Sequence, residues 1–145
     1  MEQQALIDAL HAPPPIPVAL APGAVPKVVT EILNEAVIAA AATTVLGDCV
    51  SIDMHTSGYN TLAITIETTY NAAATRGIRL HVLTSYDDAD YDTEDWDMWE
   101  PNFAAGATIR QTKIYDTDPA YVRILVENLD AAQAVTNTII HSTAG

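Results

Sequence analysis

The side chains best able to do chemistry crowd into one stretch, Ser85–Glu100, where Asp87, Asp88, Asp90, Asp92, Glu94, Asp95, Asp97 and Glu100 stand beside both tryptophans. Asp88, Asp90 and Asp92 alternate, an arrangement that offers hard oxygen ligands to calcium as loop sites do. The EF-hand pattern is not met. Counted from Asp88, its sixth position is Thr93 rather than Gly and its twelfth is Trp99 rather than Glu. The expectation is a solvated acidic loop without a metal, those three aspartates being the candidates for any ion. Trp96, Trp99 and Tyr91 have aromatic faces of the kind that stack on sugar rings, and equally of the kind that fold back over a sandwich or anchor a partner chain.

Other chemistry leaves no local trace. So many acids could supply a pair of carboxylates for glycoside hydrolysis, but no spacing selects a pair. His11, His55, His81 and His141 show neither HxH nor HExxH spacing and read as surface or strand-face histidines. Cys49 is the single cysteine, which excludes an intrachain disulfide and a CxxC pair and leaves a small buried hydrophobe as its role. Ser57-Gly58 lacks the GxSxG elbow, and no phosphate-cradling loop appears among the 6 glycines. The reading is a protein that is not an enzyme and needs no cofactor.

The elements that must carry these residues read as strands. Leu62, Ile64 and Ile66 alternate with polar neighbours within Asn60–Thr69, and Ile78, Leu80 and Val82 do so opposite Arg79 and His81. Val122, Ile124 and Val126 repeat the pattern within Tyr121–Glu127. Further strands are expected at Cys49–His55, at Ala107–Tyr115 with Thr108, Arg110 and Thr112 on a polar face, and at Val135–Ser142. Turns are expected at Gly47-Asp48, Ser57-Gly58, Asp116–Pro119 and Asn128–Ala131. Glu35–Leu46 is ambiguous: its Ala39–Ala42 run favours helix, while its β-branched flanks, Val37-Ile38 and Thr43–Val45, tip the expectation toward strand. Seven or eight strands after residue 28 predict an all-β fold, a single β-sandwich or jelly-roll-like domain over residues 28–145.

Residues 1–27 are of another texture. Six of the 8 prolines fall between Pro13 and Pro26, in the run Pro13, Pro14, Pro15 and Pro17 and then at Pro22 and Pro26. Each fixes φ and removes a donor, so the segment is expected to be an extended arm. Ile16, Val18, Leu20 and Val25 place apolar side chains among the prolines, which suits an arm laid on a neighbouring subunit rather than a solvated linker. Ahead of it, Glu2–Leu10 has the pattern of one or two helical turns.

The chain has 145 residues, 49% hydrophobic, with 19 acidic against 6 basic side chains and a formal charge of -13. That size fits a single domain. Scattered basic residues on so acidic a chain argue against nucleic acid and against anionic membrane surfaces as partners. Met1–Gln4 has no basic n-region, and no apolar stretch approaches the roughly 20 residues of a bilayer span, so synthesis in a cytoplasm is expected.

Taken as a block, Gly77–Ser85, Tyr91–Trp96, Tyr121–Asn128 and Val135–Asn137 resemble small β-sandwich structural proteins of tailed bacteriophages. In that group a strand ending in Ser leads to an acid-rich loop with a Tyr-Asp-Thr-like core, and a later strand ends in a pair such as Glu127-Asn128. Ser85–Asp88 departs from the Ser-x-Asp-Gly turn of the pattern. The resemblance implies a virion component, most naturally a capsid decoration protein and otherwise a neck or tail accessory, made in the host cytoplasm. It also implies assembly as a homo-oligomer, with a trimer as the expected symmetry, and the major capsid protein or other virion proteins as partners. Pro13, Pro14, Pro15, Ile16, Val18, Leu20, Val25, Trp96 and Trp99 are the candidate interaction residues. The competing reading is an adhesive module that grips a glycan or calcium through the acidic loop.

Overall fold

The computed structural model describes residues 26–116 and 119–145. The expected helical turns at Glu2–Leu10 and most of the arm lie outside the described residues, as does part of the Asp116–Pro119 turn. Eight strands follow in order: β1 (Val28–Ile38), β2 (Ile52–Asp53), β3 (Leu62–Tyr70), β4 (Ile78–Ser85), β5 (Asp97–Trp99), β6 (Thr108–Tyr115), β7 (Tyr121–Asn128) and β8 (Val135–Ala144). They form two four-stranded antiparallel sheets, ordered β1-β8-β3-β6 and β2-β7-β4-β5. The partners β1·β8, β2·β7, β3·β6 and β4·β5 are those of a hairpin rolled up on itself, the double-sheet jelly roll.

Alternation decides which faces meet. Leu62, Ile64 and Ile66 on β3, Ile78, Leu80 and Val82 on β4, and Val122, Ile124 and Val126 on β7 are all fully buried between the sheets, as their period of two requires. Two strands break that period through bulges. On β8 an extra residue, Asn137, takes a left-handed φ of 50° opposite β3 and switches the buried parity from Val135 to Thr138 and Ile140. On β1 the register slips between Glu31 and Leu33, so the adjacent Ile32 and Leu33 both turn inward. The hydroxyls of Thr68 and Thr138, buried by these arrangements, lie 2.8 Å apart and satisfy each other.

One end of the sandwich is tied by a buried polar knot. Asn128 Nδ2 donates to the carbonyls of Ile38, Ala39 and Gln133 at 3.3, 3.1 and 2.9 Å, and its Oδ1 accepts from the N–H of Asp130. Asp130 in turn accepts the N–H groups of Thr75 and Arg76 on one oxygen and those of Ala132 and Gln133 on the other. These backbone donors hold its carboxyl far below the usual carboxylate range. Three connections, at 39–42, 71–77 and 129–134, thus meet on two adjacent side chains.

The knot explains the largest departure from expectation. The Ala39–Ala42 run is neither helix nor strand: the chain reverses there, with Ala41 at φ 55° and its N–H donated to the Asp130 carbonyl at 2.8 Å. The strand expected at Cys49–His55 shrinks to Ile52–Asp53, because the Asp53 carboxylate captures the N–H and hydroxyl of Thr56 and draws the chain off the sheet. Gly47-Asp48 belongs to a short 3-10 turn, Leu46–Asp48. Cys49 is buried outside a strand, and its Sγ accepts the N–H of Ile124 at 3.3 Å. Burial pushes this thiol up from its ordinary pKa.

Asn128→Ala orphans several buried carbonyls and is expected to lower stability by about 3 kcal/mol, or roughly 10 °C in Tm, with the β-rich circular-dichroism spectrum retained. Ile64→Asp places an unpaired charge between the sheets and is expected to abolish the cooperative melt. A parent-like melt for the second variant would contradict the register described.

Candidate functional site

The acidic stretch is pinned to the sandwich along most of its length. Ser85 Oγ, at the end of β4, lies 2.7 Å from the Asp90 carbonyl and accepts the N–H of Asp88 at 3.0 Å. Asp87 Oδ1 accepts the N–H groups of Ala89 and Asp90, both at 3.0 Å, and these bonds lower its pKa. Asp88, which follows Asp87 at the tip of the turn, takes a left-handed φ of 61°. Its carboxylate accepts the Tyr91 hydroxyl at 2.6 Å, and that hydroxyl also lies 3.1 Å from Ser51 Oγ. Burial and the Asp88 charge push Tyr91 up to about 12. Asp92 accepts from the Thr84 hydroxyl at 2.9 Å.

Further along, the loop is fastened to the outer face of the second sheet. His81 on β4 sits between Asp95 and Glu127, with each ring nitrogen 2.8 Å from a carboxylate oxygen. Burial works against the imidazolium, but the bonds to Asp95 and Glu127 outweigh it and raise the pKa above the ordinary 6.5. Arg79 pairs with Glu100 at 2.7 Å. Sequence reading missed β5 because it is three residues long inside an acidic run; its Met98 lies opposite His81.

At the outer end of the loop the two sheets are clamped together. Asp97 on β5 binds Lys113 Nζ and the Tyr115 hydroxyl of β6, each at 2.6 Å. Burial raises the Asp97 pKa, but these two donors prevail and leave it lowered. Trp96 stacks on Tyr115 with ring centroids 5.1 Å apart, and Lys113 lies 5.9 Å from the Trp99 ring. Trp99 packs inward against the core, while Trp96 keeps about a third of its surface exposed. Trp99 thus seals the β5/β6 edge from within, while Trp96, Tyr115 and Lys113 line an open cleft of about 350 Å³ outside it.

Asp88 and Asp92 engage different partners, and among the described residues no group of three His, Cys, Asp or Glu side chains converges as a metal would need. Among those residues no helix is long and apolar enough to cross a membrane. Neither a protein-family model nor a curated protein matches the sequence.

The opposite edge is unlike the first. Among the described residues, the backbone hydrogen bond β1 makes away from β8 runs from the Val50 N–H to the Ile32 carbonyl, at 2.8 Å. Val28, Val29 and Val37 on β1, and Val45 and Val50 on the segment beside it, are 44 to 65% exposed. A cleft of about 190 Å³ opens between β1 and β2, lined by Val28, Thr30, Ile32, Ile52 and Tyr59. A second, of about 170 Å³, lies beyond the Val50 bond between Val37, Ile38 and Val45. No periodicity rule distinguishes such an edge from a paired strand, which is why sequence reading did not find it. Pro26 and Lys27, the last residues of the arm, lead directly into this strand.

Two outcomes are expected. Calcium and EDTA should leave the melting midpoint equal, whereas a calcium-dependent rise would mean that the aspartates rearrange around an ion. His81→Gln should cost on the order of 1 kcal/mol at acidic pH. Because the folded pKa of His81 is raised, its contribution is complete below about 6.5 and is lost as pH rises through the folded value. The Tm gap between parent and variant should therefore narrow from pH 5.5 to pH 8.5.

Proposed function

We propose that this chain is a non-catalytic structural protein that acts by assembly. The more specific form of the proposal is a virion component of the tailed-phage type, a capsid decoration protein bound to the major capsid or other virion proteins as a homo-oligomer, with a trimer as its symmetry. The observation that carries the reading is the junction at Pro26-Lys27, where a proline-rich arm with no charged side chain over residues 12–26 meets the start of an edge strand with exposed valines. Prolines lower the entropy that an arm gives up on docking. Burying Ile16, Val18, Leu20 and Val25 would supply on the order of 6 kcal/mol before ordering costs, at about 1.5 kcal/mol each.

The jelly roll supports the reading only as a permissive frame, since virion shells, lectins and cupins all use it. The inward packing of Trp99 and the internal pairing of Asp88 and Asp92 weigh against the glycan or calcium alternative.

A chain that begins at Lys27 tests the proposal. It is expected to melt within a few degrees of the parent yet to lose its oligomeric size in light scattering and its retention on particles. Full retention with an unchanged size would remove the reason for assigning assembly to the arm.

A further inference from the structure

We propose that His81 and Asp95 form a proton-operated latch: a charged imidazole holds the acidic loop down on β4, and a neutral one releases the carboxylate of Asp95, so that residues 93–95 lift off the sheet. The inference is independent of the assembly reading above. It concerns the one histidine, among the described residues, whose two ring nitrogens both meet carboxylates.

The geometry demands the charged form. Above about pH 5 a carboxylate only accepts hydrogen bonds, and a neutral imidazole has a single N–H to give. Asp95 Oδ2 lies 2.8 Å from Nδ1 and Glu127 Oε2 lies 2.8 Å from Nε2, so both contacts are hydrogen bonds only when both nitrogens carry protons. A neutral ring turns a lone pair toward one of the two carboxylates, and that contact must part.

Few charged groups surround the ring. Asp95 faces it from the loop and Glu127 from β7, while the residues directly across from it, Leu125 on β7 and Met98 on β5, carry no charge. On its own strand Arg79 reaches Glu127 at 3.7 Å and Glu100, just after β5, at 2.7 Å. Glu100, Arg79, Glu127, His81 and Asp95 thus form an alternating row, and its last member depends on the imidazolium alone. Burial opposes the charge on the ring, but Asp95 and Glu127 prevail and hold its pKa above the ordinary 6.5, so the latch is closed below that raised value and open above it.

Backbone anchoring decides which carboxylate leaves. Glu127 belongs to a strand held by Arg79 on one side and bridged to Thr43 on the other, and its carboxylate keeps Arg79 when the imidazole is neutral. The Asp95 carboxylate has no second donor among the described residues and sits in an exposed segment outside any strand. That segment is bounded. The N–H of Asp92 donates to the Thr84 carbonyl at 3.0 Å and that of Trp96 to the Val82 carbonyl at 2.9 Å, which leaves residues 93–95 free to move between two fixed points. The neutral ring therefore keeps its proton on Nε2, toward Glu127, and the loop opens at Asp95 without disturbing β4, β5 or the Asp97 clamp.

Nuclear magnetic resonance of the labelled full-length protein, from pH 5.5 to pH 8.5, tests the latch. Ring nitrogen shifts report the charge and tautomer of His81, and backbone order parameters report the loop. Thr93, Glu94 and Asp95 are expected to fall from the rigid range, about 0.85, to below about 0.6 with the midpoint of the ring, while Asp92 and Trp96 stay rigid. The neutral ring should be protonated on Nε2. In a second protein, Asp95→Asn, the side chain offers an oxygen to the charged ring and an N–H to the neutral one, so the ring should titrate at lower pH and the loop should stay ordered throughout. Order in 93–95 that ignores the midpoint of the ring in the parent overturns the proposal, and so does a neutral ring protonated on Nδ1, which would release Glu127 instead. Loosening as large in Asp95→Asn as in the parent also overturns it, because the movement then does not pass through Asp95. Should that variant fail to fold, the parent titration decides alone.

Discussion

A sheet of finite width must do something with the unpaired backbone of its edge strands, and a two-sheet sandwich has four of them. In this protein the four are treated differently. β5 and β6 lie at one side and are clamped across the sheets by Asp97, Lys113 and Tyr115, with Trp96 and Trp99 filling the seam. β2 is two residues long, and the rest of the β7 edge is covered by the segment 42–49 through Thr44, Ala42 and the Cys49 thiol. β1, at 11 residues, is the longest of the four and gives its Ile32 carbonyl to Val50 midway along its outer edge, while β6, at 8 residues, makes no outward backbone bond among the described residues.

That asymmetry gives the unusual residues their places. The acidic loop is solvent-exposed, as its composition led one to expect, yet most of its carboxylates hold its own turns, the face of β4 or the β5/β6 seam. In a chain of net charge -13, engaging carboxylates with backbone N–H groups, His81, Arg79 and Lys113 relieves self-repulsion where it is most concentrated. The Asn128–Asp130 knot orders the loops at one end through bonds to otherwise unpaired backbone groups.

Much of this was legible in the residues. The rows at 62–66, 78–82 and 122–126 gave strand, register and inward face together, because period two has one meaning on a half-buried sheet. The all-β sandwich followed from their count. What was not legible depended on partners remote in sequence. Ala39–Ala42 leaned toward strand on its β-branched flanks and is instead a reversal, because the partner that fixes it, the Asp130 carbonyl, lies some ninety residues away. β5 was hidden because Asp97 and Met98 have no alternation to display over three residues. The acidic run is solvated as read, but the bonds that order it were not legible because its counter-groups, His81 and Thr84 on β4 and Lys113 on β6, are remote from most of it in sequence or lie on the other sheet. The openness of β1 is likewise a property of topology rather than of its own residues.

The central proposal is that the arm, and not the sandwich, carries assembly. Sedimentation velocity of the full-length chain and of a chain begun at Lys27 reports this directly, with hydrogen exchange of the β3, β4 and β7 amides as the control for folding. The account predicts an oligomer that falls to a single copy on shortening, with those amides equally protected in both. A shortened chain that keeps the oligomeric size would contradict it.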